Sequence, residues 1–329
     1  MIIGELLKRQ HVNETKWNEF IDESPQHSIY CQSWYLDSLC SNWEAIIIKE
    51  NGDWLAIMPL NLDSKFRLRY SVQPIFTQYL GLLFAPLELK QHKELELKRK
   101  IIKTVIGLIP KNIRIIDYNF SPKFKYFLPF VWEGYSVIPR ISYQLTLKKN
   151  IEEVICNYSS RIKDDIKKSI KNNLICFTSN DINDLIHMCY TNSIINKKSC
   201  IRFKMLWDQI IIRKNGYCIY AKDENNNIHC GGAFIIYKEK IIFILLSTKN
   251  EYKKFGSTSF LINEAIKQAI DNPKIKSFDF EGSMIESIEK YFIGFNPSPI
   301  TYFKIQKNKL HTLMNILQKS KLLISKYKR

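Results

Sequence analysis

The sequence is poor in the residues that build linkers and repetitive coils, since its 329 residues include only 11 glycines and 11 prolines. Its eight cysteines form no C-x-x-C pair, and a chain of this length needs no disulfides to hold its core, so a reducing compartment is expected. The longest apolar run, Ile241–Leu246, is far shorter than the ~20 residues of a membrane span. The amino terminus, MIIGELLKRQ, has no apolar core of signal-peptide length. These absences favour a soluble cytoplasmic protein without a transmembrane segment.

Sequence patterns typical of metal-binding sites, serine nucleophiles and phosphate-binding loops are missing as well. The six histidines show no metal-ligand spacing and no H-E-x-x-H motif. The chain has no G-x-S-x-G elbow and no phosphate-binding P-loop. The sequence therefore predicts an activity that uses neither a metal ion nor a serine nucleophile.

Acidic residues are scarce: 32 Asp and Glu stand against 49 Lys and Arg, which gives a formal net charge of +17. One interpretation is a polyanionic partner, such as RNA, a nucleotide phosphate or an anionic membrane. The other is codon bias, because the chain is rich in Ile, Lys and Asn, as an AT-rich genome would make it. The charge is concentrated at the carboxyl terminus, where eight cations and no acid occur: Lys304, Lys307, Lys309, Lys319, Lys321, Lys326, Lys328 and Arg329.

What the chain does contain is ample apolar material and one stretch with a clear pattern. Hydrophobic residues make up 45% of the chain and aromatic residues 13%, enough for an extensive core. Within Lys276–Phe295, Phe278 and Phe280 alternate with Asp279 and Glu281. This period of two predicts a strand with two phenyl rings on one face and two carboxylates on the other.

A turn and a helix are predicted directly after this strand. Gly282 marks the turn. Ser283 and Glu286, three residues apart, match a capping box, so the helix should run from Ser283 to about Phe292. The two carboxylates of the strand then lie at its carboxyl end beside a glycine turn. Open α/β sheets usually bind their ligands at such a place.

The two halves of the chain repeat one order of elements. Each half contains a strand–turn–strand segment, at Glu44–Leu60 and at Tyr217–Tyr237. A later strand reads IRIIDYNF in the first half and IKSFDFEG in the second, which aligns Asp117 with Asp279. Such a repeat predicts an α/β (α+β) fold of two tandem domains, each a mixed sheet flanked by helices; a coincidental alignment is the alternative. The predicted boundaries are residues 1–147, residues 148–306 and, for a basic carboxyl-terminal helix, residues 307–329.

Four segments give this plan a family resemblance: Ser159–Lys163, Lys253–Ser257, Phe278–Ser283 and Tyr291–Phe295. They are similar, in that order, to the start of the second domain, the loop before a helix, the F-D-F-G-G-S strand end and the F-K-x-G-F helix end of FemABX-type transferases. The whole chain thereby resembles the GNAT superfamily in its tandem form. That form includes the FemABX-type aminoacyltransferases of peptidoglycan bridges and related GNAT N-acetyltransferase-like proteins.

The resemblance implies an acyl donor bound in the second domain. In GNAT enzymes two neighbouring strands splay apart around the donor; here they would be Lys240–Ser247 and Lys276–Glu281. The diphosphate of the donor lies at a helix amino terminus, whose free N–H groups and dipole favour anions. Many acetyl-CoA users carry two glycines in this loop and the chain has one, so a plain loop is the alternative. The residues implied for binding acetyl-CoA or another acyl-CoA are Ser247, Lys253, Lys254, Gly256, Ser257 and Thr258.

Transfer to an amine needs a base for the attacking nitrogen and a proton donor for the leaving group. By resemblance, Glu281 is the candidate base and Asp279 the second candidate, while Tyr291 would protonate a leaving thiolate. Structural roles remain open for two of them: Asp279 as a strand-end residue, like its counterpart Asp117, and Tyr291 as a core side chain. Ser283 is either a helix cap or a substrate-binding residue.

Several positions bear on the acceptor. Arg202 falls where peptidoglycan-directed relatives place an arginine for an acceptor phosphate, and Arg161 is a second substrate-binding candidate. A surface salt bridge is the other interpretation of Arg202. Ile293 stands near the point where those relatives carry a lysine, and the helix after Trp34 lacks the lysine that holds the diphosphate of their acceptor. These departures argue against a nucleotide-linked muropeptide acceptor.

The resemblance thus implies a cytoplasmic N-acyltransferase that moves an acyl group from acyl-CoA to a small-molecule amine. That amine would belong to a sugar nucleotide or to a cell-wall or surface-polysaccharide precursor. An aminoacyl-tRNA-dependent transferase is the first alternative, and it would account for the positive charge. A catalytically inactive GNAT-like binding module is the second. The basic carboxyl terminus either docks back on the first domain or contacts RNA or an anionic membrane.

Overall fold

The computed structural model describes residues 1–65, 68–148, 150–282 and 284–309. These residues form two compact units, one of Met1–Arg140 with the described residues from Tyr302 onward, the other of Ile141–Thr301. In each unit helices flank a mixed sheet, which confirms the predicted fold class. Of the helix predicted for residues 307–329, positions 310–329 lie outside the described residues. Residues 307 and 308 belong to a strand instead.

The strands are spread over both halves of the sequence. In chain order they are β1 (Ile2–Lys8), β2 (Trp43–Glu50), β3 (Asp53–Lys65), β4 (Leu68–Val72), β5 (Leu83–Phe84), β6 (Ile113–Asn119), β7 (Ser136–Thr146), β8 (Ile175–Ser179), β9 (Gly216–Lys222), β10 (Ile228–Tyr237), β11 (Lys240–Thr248), β12 (Ser277–Asp279) and β13 (Ser298–Asn308).

The α-helices are of short to moderate length. They are α1 (Glu14–Glu23), α2 (Ser33–Leu39), α3 (Gln91–Leu108), α4 (Leu128–Trp132), α5 (Ile151–Cys156), α6 (Ser160–Lys171), α7 (Asn183–Thr191), α8 (Lys197–Ile212), α9 (Ser257–Asp271) and α10 (Glu286–Phe292). Short 3₁₀ turns occur at Arg9–His11, Ile29–Cys31, Asn250–Phe255 and Ile293–Phe295. Among the described helices, none combines the length and the apolar character that a bilayer crossing requires.

The two sheets follow the same plan. In the first unit the strand order is β1-β2-β3-β4-β6-β13, and in the second it is β8-β9-β10-β11-β12-β7. Within the described residues, each sheet contains one parallel pair, β4 with β6 and β11 with β12, among antiparallel neighbours. The predicted repeat therefore appears as two sheets whose parallel pair occupies the same place.

The last strand of each half of the sequence completes the sheet of the other unit. β7, from the first half, pairs through residues 144–146 with β12. β13, from the second half, pairs through residues 304–308 with β6. The predicted boundaries at residues 147 and 306 differ from the observed units because this exchange moves each strand out of its own half.

The core of the second unit gathers around the stretch that the sequence singled out. Phe278 and Phe280 are 0% and 2% exposed and belong to one apolar cluster with Phe292 and Phe295. Their rings approach one another closely, with centroids 4.9 Å apart for Phe278 and Phe280 and 5.2 Å apart for Phe280 and Phe292. The two phenyl rings therefore lie together as the alternation predicted, although Phe280 follows the last residue of β12.

The helix after this strand begins later than predicted. α10 starts at Glu286, its amino-terminal flanking residue is Ile285, and no side chain caps it within the described residues. The capping-box assignment was wrong because Glu286 is the first helical residue rather than the third; its carboxylate pairs with Lys290 at 2.5 Å. Ser283 lies outside the described residues.

Candidate functional site

The candidate site lies in the second unit, where β11 and β12 part. Their parallel pairing covers the three residues of β12, Ser277–Asp279. β11 runs on to Thr248, whereas the next residue after β12, Phe280, donates its N–H to the carbonyl of Tyr143 on β7 at 2.9 Å. Two parallel strands that pair briefly and then diverge leave a wedge between them, as the resemblance implied.

A cavity of about 620 Å³ opens at this wedge. Residues 243–246 of β11 form one apolar wall, and Phe280, Phe292, Ile194 and Ile288 contribute the rest of the apolar lining. A cavity of this volume, mostly apolar with a few polar groups, is typical of a small-molecule site.

Polar side chains from several elements line the same cavity. Cations and carboxylates are present in equal number, so the polar part of the lining has no strong net charge. No group of three or more His, Cys, Asp or Glu in the described chain is arranged to hold a metal ion. The polar side chains of the lining are the cations Arg161 and Lys253, the carboxylates Asp165 and Glu281, and the hydroxyls of Thr248, Thr258, Ser259, Ser287 and Tyr291.

Tyr291, Ser259 and Asp165 form a chain of hydrogen bonds. The Ser259 hydroxyl donates to Oδ2 of Asp165 at 2.9 Å, because a carboxylate only accepts. The Tyr291 hydroxyl lies 2.9 Å from the same Ser259 oxygen and is the donor in that bond, since Ser259 has a single proton. Burial raises the pKa of Tyr291 above its ordinary value. The phenol therefore stays protonated at neutral pH, which suits a proton donor rather than a base.

The first turn of α9 borders the cavity through Gly256, Thr258 and Ser259. No described side chain caps this helix end, so its first N–H groups form a potential anion site. Gly256 has φ +74°, and a Cβ there would lie 2.3 Å from the backbone oxygen of Asp165. α6 therefore packs directly against the start of α9 and brings a carboxylate beside it. That negative charge competes with an incoming diphosphate.

The two carboxylates of the strand end have different surroundings. Asp279 is 4% exposed; its Oδ2 lies 3.0 Å from Nζ of Lys240, and its Oδ1 accepts the N–H of Glu281 at 2.9 Å. Glu281 is half-buried, lines the cavity and has φ +55°. The prediction that both carboxylates share one face was wrong, because β12 ends at Asp279 and the chain turns before Glu281. Asp279 holds the turn that places Glu281 at the cavity.

Removing the Asp279 carboxylate should therefore cost stability. We expect Asp279→Ala to lower the free energy of unfolding by about 1–3 kcal/mol, because Lys240 and the N–H of Glu281 lose a buried partner. Urea denaturation measures the change. Glu286→Ala is the matched control, since it removes an exposed carboxylate from an i,i+4 pair worth about 0.3–0.5 kcal/mol. Equal losses in both variants would contradict the structural role of Asp279.

Three of the predicted donor-binding residues do not line the cavity. Ser247 is buried, and its hydroxyl oxygen accepts a hydrogen bond from Nδ2 of Asn192 at 2.9 Å. Ser257 is 1% exposed and lies in the interior. Lys254 is exposed, with its Nζ 5.3 Å from the ring centre of Phe255. The other three, Lys253, Gly256 and Thr258, do line the cavity.

The predicted substrate-binding residues do not all lie at the cavity either. Arg161 lines the cavity. Arg202 lies on α8, is half-buried and is not among the lining residues. Ser283 falls outside the described residues. Of the predicted catalytic residues, Glu281 and Tyr291 share the cavity and Asp279 stands behind it.

The sequence analysis missed Asp165 and Ser259. Asp165 follows Arg161 by four residues on α6, so both lie on one helix face. That spacing was the available signal for Asp165. Ser259 is the third residue of α9, and nothing in its sequence context distinguishes it from Ser257. Only the packing of α6 on α9 brings the two residues together.

The corresponding strand pair of the first unit stays connected. Beyond the end of β4, Gln73 donates its N–H to the carbonyl of Asp117 at 3.0 Å. The side-chain oxygen of Gln73 accepts the N–H of Asn119 at 2.7 Å. These bonds tie the chain to β6 at the point where β11 and β12 separate in the second unit. The wedge is therefore a feature that distinguishes the second sheet from the first.

Solved structures with the same architecture identify the fold. FemX matches with a TM-score of 0.65 and 9% identity, over 91% of this chain and 96% of FemX. A tandem GNAT protein from the clavulanic acid biosynthesis pathway matches with a TM-score of 0.59 and 8% identity, over 93% of this chain and 99% of that protein. L-PGS from Bacillus licheniformis matches with a TM-score of 0.54 and 8% identity, over 93% and 96% of the two chains.

Comparison of the amino-acid sequence alone identified no related protein. No protein-family model matches the chain, and no curated protein matches it. The structural matches nevertheless span more than nine-tenths of this chain. The chain has the tandem GNAT-like fold that the sequence predicted.

Proposed function

We propose that this chain is an N-acyltransferase that transfers an acyl group to an amine in the wedge between β11 and β12. The observation that carries the proposal is the separation of these two parallel strands around an apolar cavity. That cavity holds a candidate base, Glu281, and a protonated phenol, Tyr291. The fold agrees with it, since it is shared with FemX and with a tandem GNAT protein.

The proposed donor is an acyl-CoA. Three residues of β11 pair with β12. Beyond them, the edge of the β11 backbone on that side faces the cavity, and its N–H and C=O groups suit a donor chain that contains amides. Lys253 and the first turn of α9 suit an anionic diphosphate. Asp165, at the same helix end, opposes it. The cavity therefore fits the acyl end of such a donor better than its diphosphate end.

An aminoacyl-tRNA is the alternative donor, and Asp165 is the observation that favours it. The ammonium group of an aminoacyl ester would find a carboxylate partner in the cavity. The net charge of +17 suits a polyanionic carrier. In either case the reaction would take place in the cytoplasm, where both donors occur.

The side chains of the cavity suggest a division of roles. The Glu281 carboxylate would accept the proton of the attacking amine, and the Tyr291 hydroxyl would give its proton to the leaving group. The phenyl rings of Phe280 and Phe292 would exclude water, which limits hydrolysis of the donor. Arg161 would attract the anionic part of a substrate.

The acceptor that we propose is an amine of a sugar or cell-envelope precursor. This part rests on analogy with tandem GNAT-like transferases alone. Arg202 gives it no support, because it does not line the cavity.

Ligand-induced stabilisation tests the proposal directly. The melting temperature would be measured with acetyl-CoA, with CoA and with bulk tRNA, each at about 150 mM salt. A ligand at about 100 times its dissociation constant should add about 2.7 kcal/mol of stability. Stabilisation by acetyl-CoA alone supports the acyl-CoA donor, and stabilisation by tRNA alone supports the aminoacyl donor. No stabilisation by either would favour a binding module without transferase activity.

A further inference from the structure

The first unit carries an exposed apolar surface on α4. This short helix buries Pro129 and Phe130 and exposes its other three side chains. Leu128 is 52% exposed, Val131 46% and Trp132 54%. Single exposed apolar residues are common on protein surfaces, whereas three within five residues of a helix form a continuous patch that is typical of a contact surface. We call these three residues the α4 patch.

Cations lie against this patch. The guanidinium carbon of Arg99 is 5.7 Å from the ring centre of Trp132, and its Nε donates to the Tyr126 hydroxyl at 3.4 Å. Lys103 follows Arg99 by four residues and is exposed on the same face of α3. Two acids lie nearby. Glu96 on α3 interacts electrostatically with Arg99. Glu133, the residue after α4, accepts a hydrogen bond at its backbone carbonyl from Nζ of Lys307 at 2.6 Å. The surroundings of the patch are therefore net positive.

The basic carboxyl-terminal sequence begins near the same place. β13 ends at Asn308, directly after the Lys307 that contacts Glu133. The sequence that follows, residues 310–329, contains five cations and no acid: Lys319, Lys321, Lys326, Lys328 and Arg329. The sequence after β13 thus adds positive charge, although these residues lie outside the described part of the chain.

We propose that the α4 patch is a contact surface for an anionic lipid bilayer. An indole ring settles at the level of the lipid head groups, and aliphatic side chains insert just below them. Each cation near an anionic bilayer adds about 1 kcal/mol of attraction, or roughly a fivefold gain in binding. RNA would use the cations and could stack on Trp132, but Leu128 and Val131 offer it no flat π face. The combination of aliphatic, indole and cationic groups favours lipid.

Vesicle sedimentation of the full chain tests this inference without reference to any transfer reaction. We expect binding to phosphatidylcholine vesicles that contain phosphatidylglycerol, and weak binding to phosphatidylcholine alone. The combined change Leu128→Ser, Val131→Ser and Trp132→Ser should weaken binding at least about tenfold. Arg99→Gln should weaken it about fivefold.

A matched control is available on α8. Ile201, Met205 and Ile212 are 55%, 50% and 70% exposed, so their combined replacement by serine removes equally exposed apolar groups elsewhere and should leave binding unchanged. All these side chains are exposed, and an unchanged melting temperature would show that the variants fold. Absence of binding to phosphatidylglycerol vesicles would overturn the proposal. Equal loss in the α4 and α8 variants, or binding of bulk tRNA but not of vesicles that depends on the patch, would overturn it as well.

Discussion

Replacing Glu281 with glutamine should lower the turnover number at least about 100-fold and leave the fold intact. A positioned general base typically contributes a factor of about 10²–10⁴, and glutamine cannot accept the proton of the attacking amine. Glutamine keeps the size of the side chain and the backbone N–H that Asp279 accepts at 2.9 Å. The measurement is thiol release from acetyl-CoA, or acyl transfer from aminoacyl-tRNA, with a panel of amines.

Glu286→Gln serves as the control for this experiment. Glu286 lies on α10, five residues away, exposed and outside the cavity lining, so its replacement should leave turnover unchanged. The melting temperatures of the two variants and the unaltered chain should agree. Unchanged turnover in Glu281→Gln would remove Glu281 as the base. It would also direct attention to Asp165, the other carboxylate in the cavity.

Gly256→Ala should be strongly destabilising, by at least about 2 kcal/mol. Two costs add up at this position. The left-handed backbone, with φ +74°, is unfavourable for a residue with a side chain and costs about 1–3 kcal/mol. The new Cβ would also lie 2.3 Å from the Asp165 backbone oxygen, so α6 and α9 would have to move apart, which costs about another 1–3 kcal/mol. Urea denaturation followed by circular dichroism measures the loss.

Gly134→Ala separates these two costs. Gly134 has φ +76°, almost the same backbone conformation, but the nearest atom to a Cβ there is Nζ of Lys307 at 3.9 Å. It should therefore show the conformational cost alone, about 1 kcal/mol. If both variants lose the same stability, the close approach of α6 to the start of α9 does not constrain the site. Loss of ligand binding in Gly256→Ala without loss of stability would contradict the expectation too.

Local periodicity explains the parts of the fold that the sequence predicts well. The alternation of Phe278 and Phe280 predicts that their rings lie on one side of the chain, and both rings do belong to one buried cluster. The tandem plan follows from a repeated order of elements, each detectable within a short window. The general position of the site follows from the same strand end, and Glu281 and Tyr291 do share a cavity.

Contacts between distant segments explain what the sequence does not predict. The Asp165–Ser259 hydrogen bond joins residues 94 positions apart, and neither residue lies in a sequence motif that would predict contact with the other. The start of α10 was misplaced because Ser283 and Glu286 match a capping pattern at the correct spacing, whereas the left-handed residues Glu281 and Gly282 shift the helix start forward. The exchange of β7 and β13 depends on pairing that spans most of the chain.

The exchange of β7 and β13 also limits how far the first unit can fold while the chain is still being synthesised. The ribosome completes residues 1–140 early, and β6 can pair with β4 at once, but β6 acquires its second neighbour only when residues 304–308 emerge. The usual sequence, in which the amino-terminal domain folds while the next is still being synthesised, cannot finish here. Until then the edge of β6 is open to unwanted pairing. A gene cut at the midpoint would deprive each fragment of one strand, so neither fragment would be a self-sufficient module for expression or recombination.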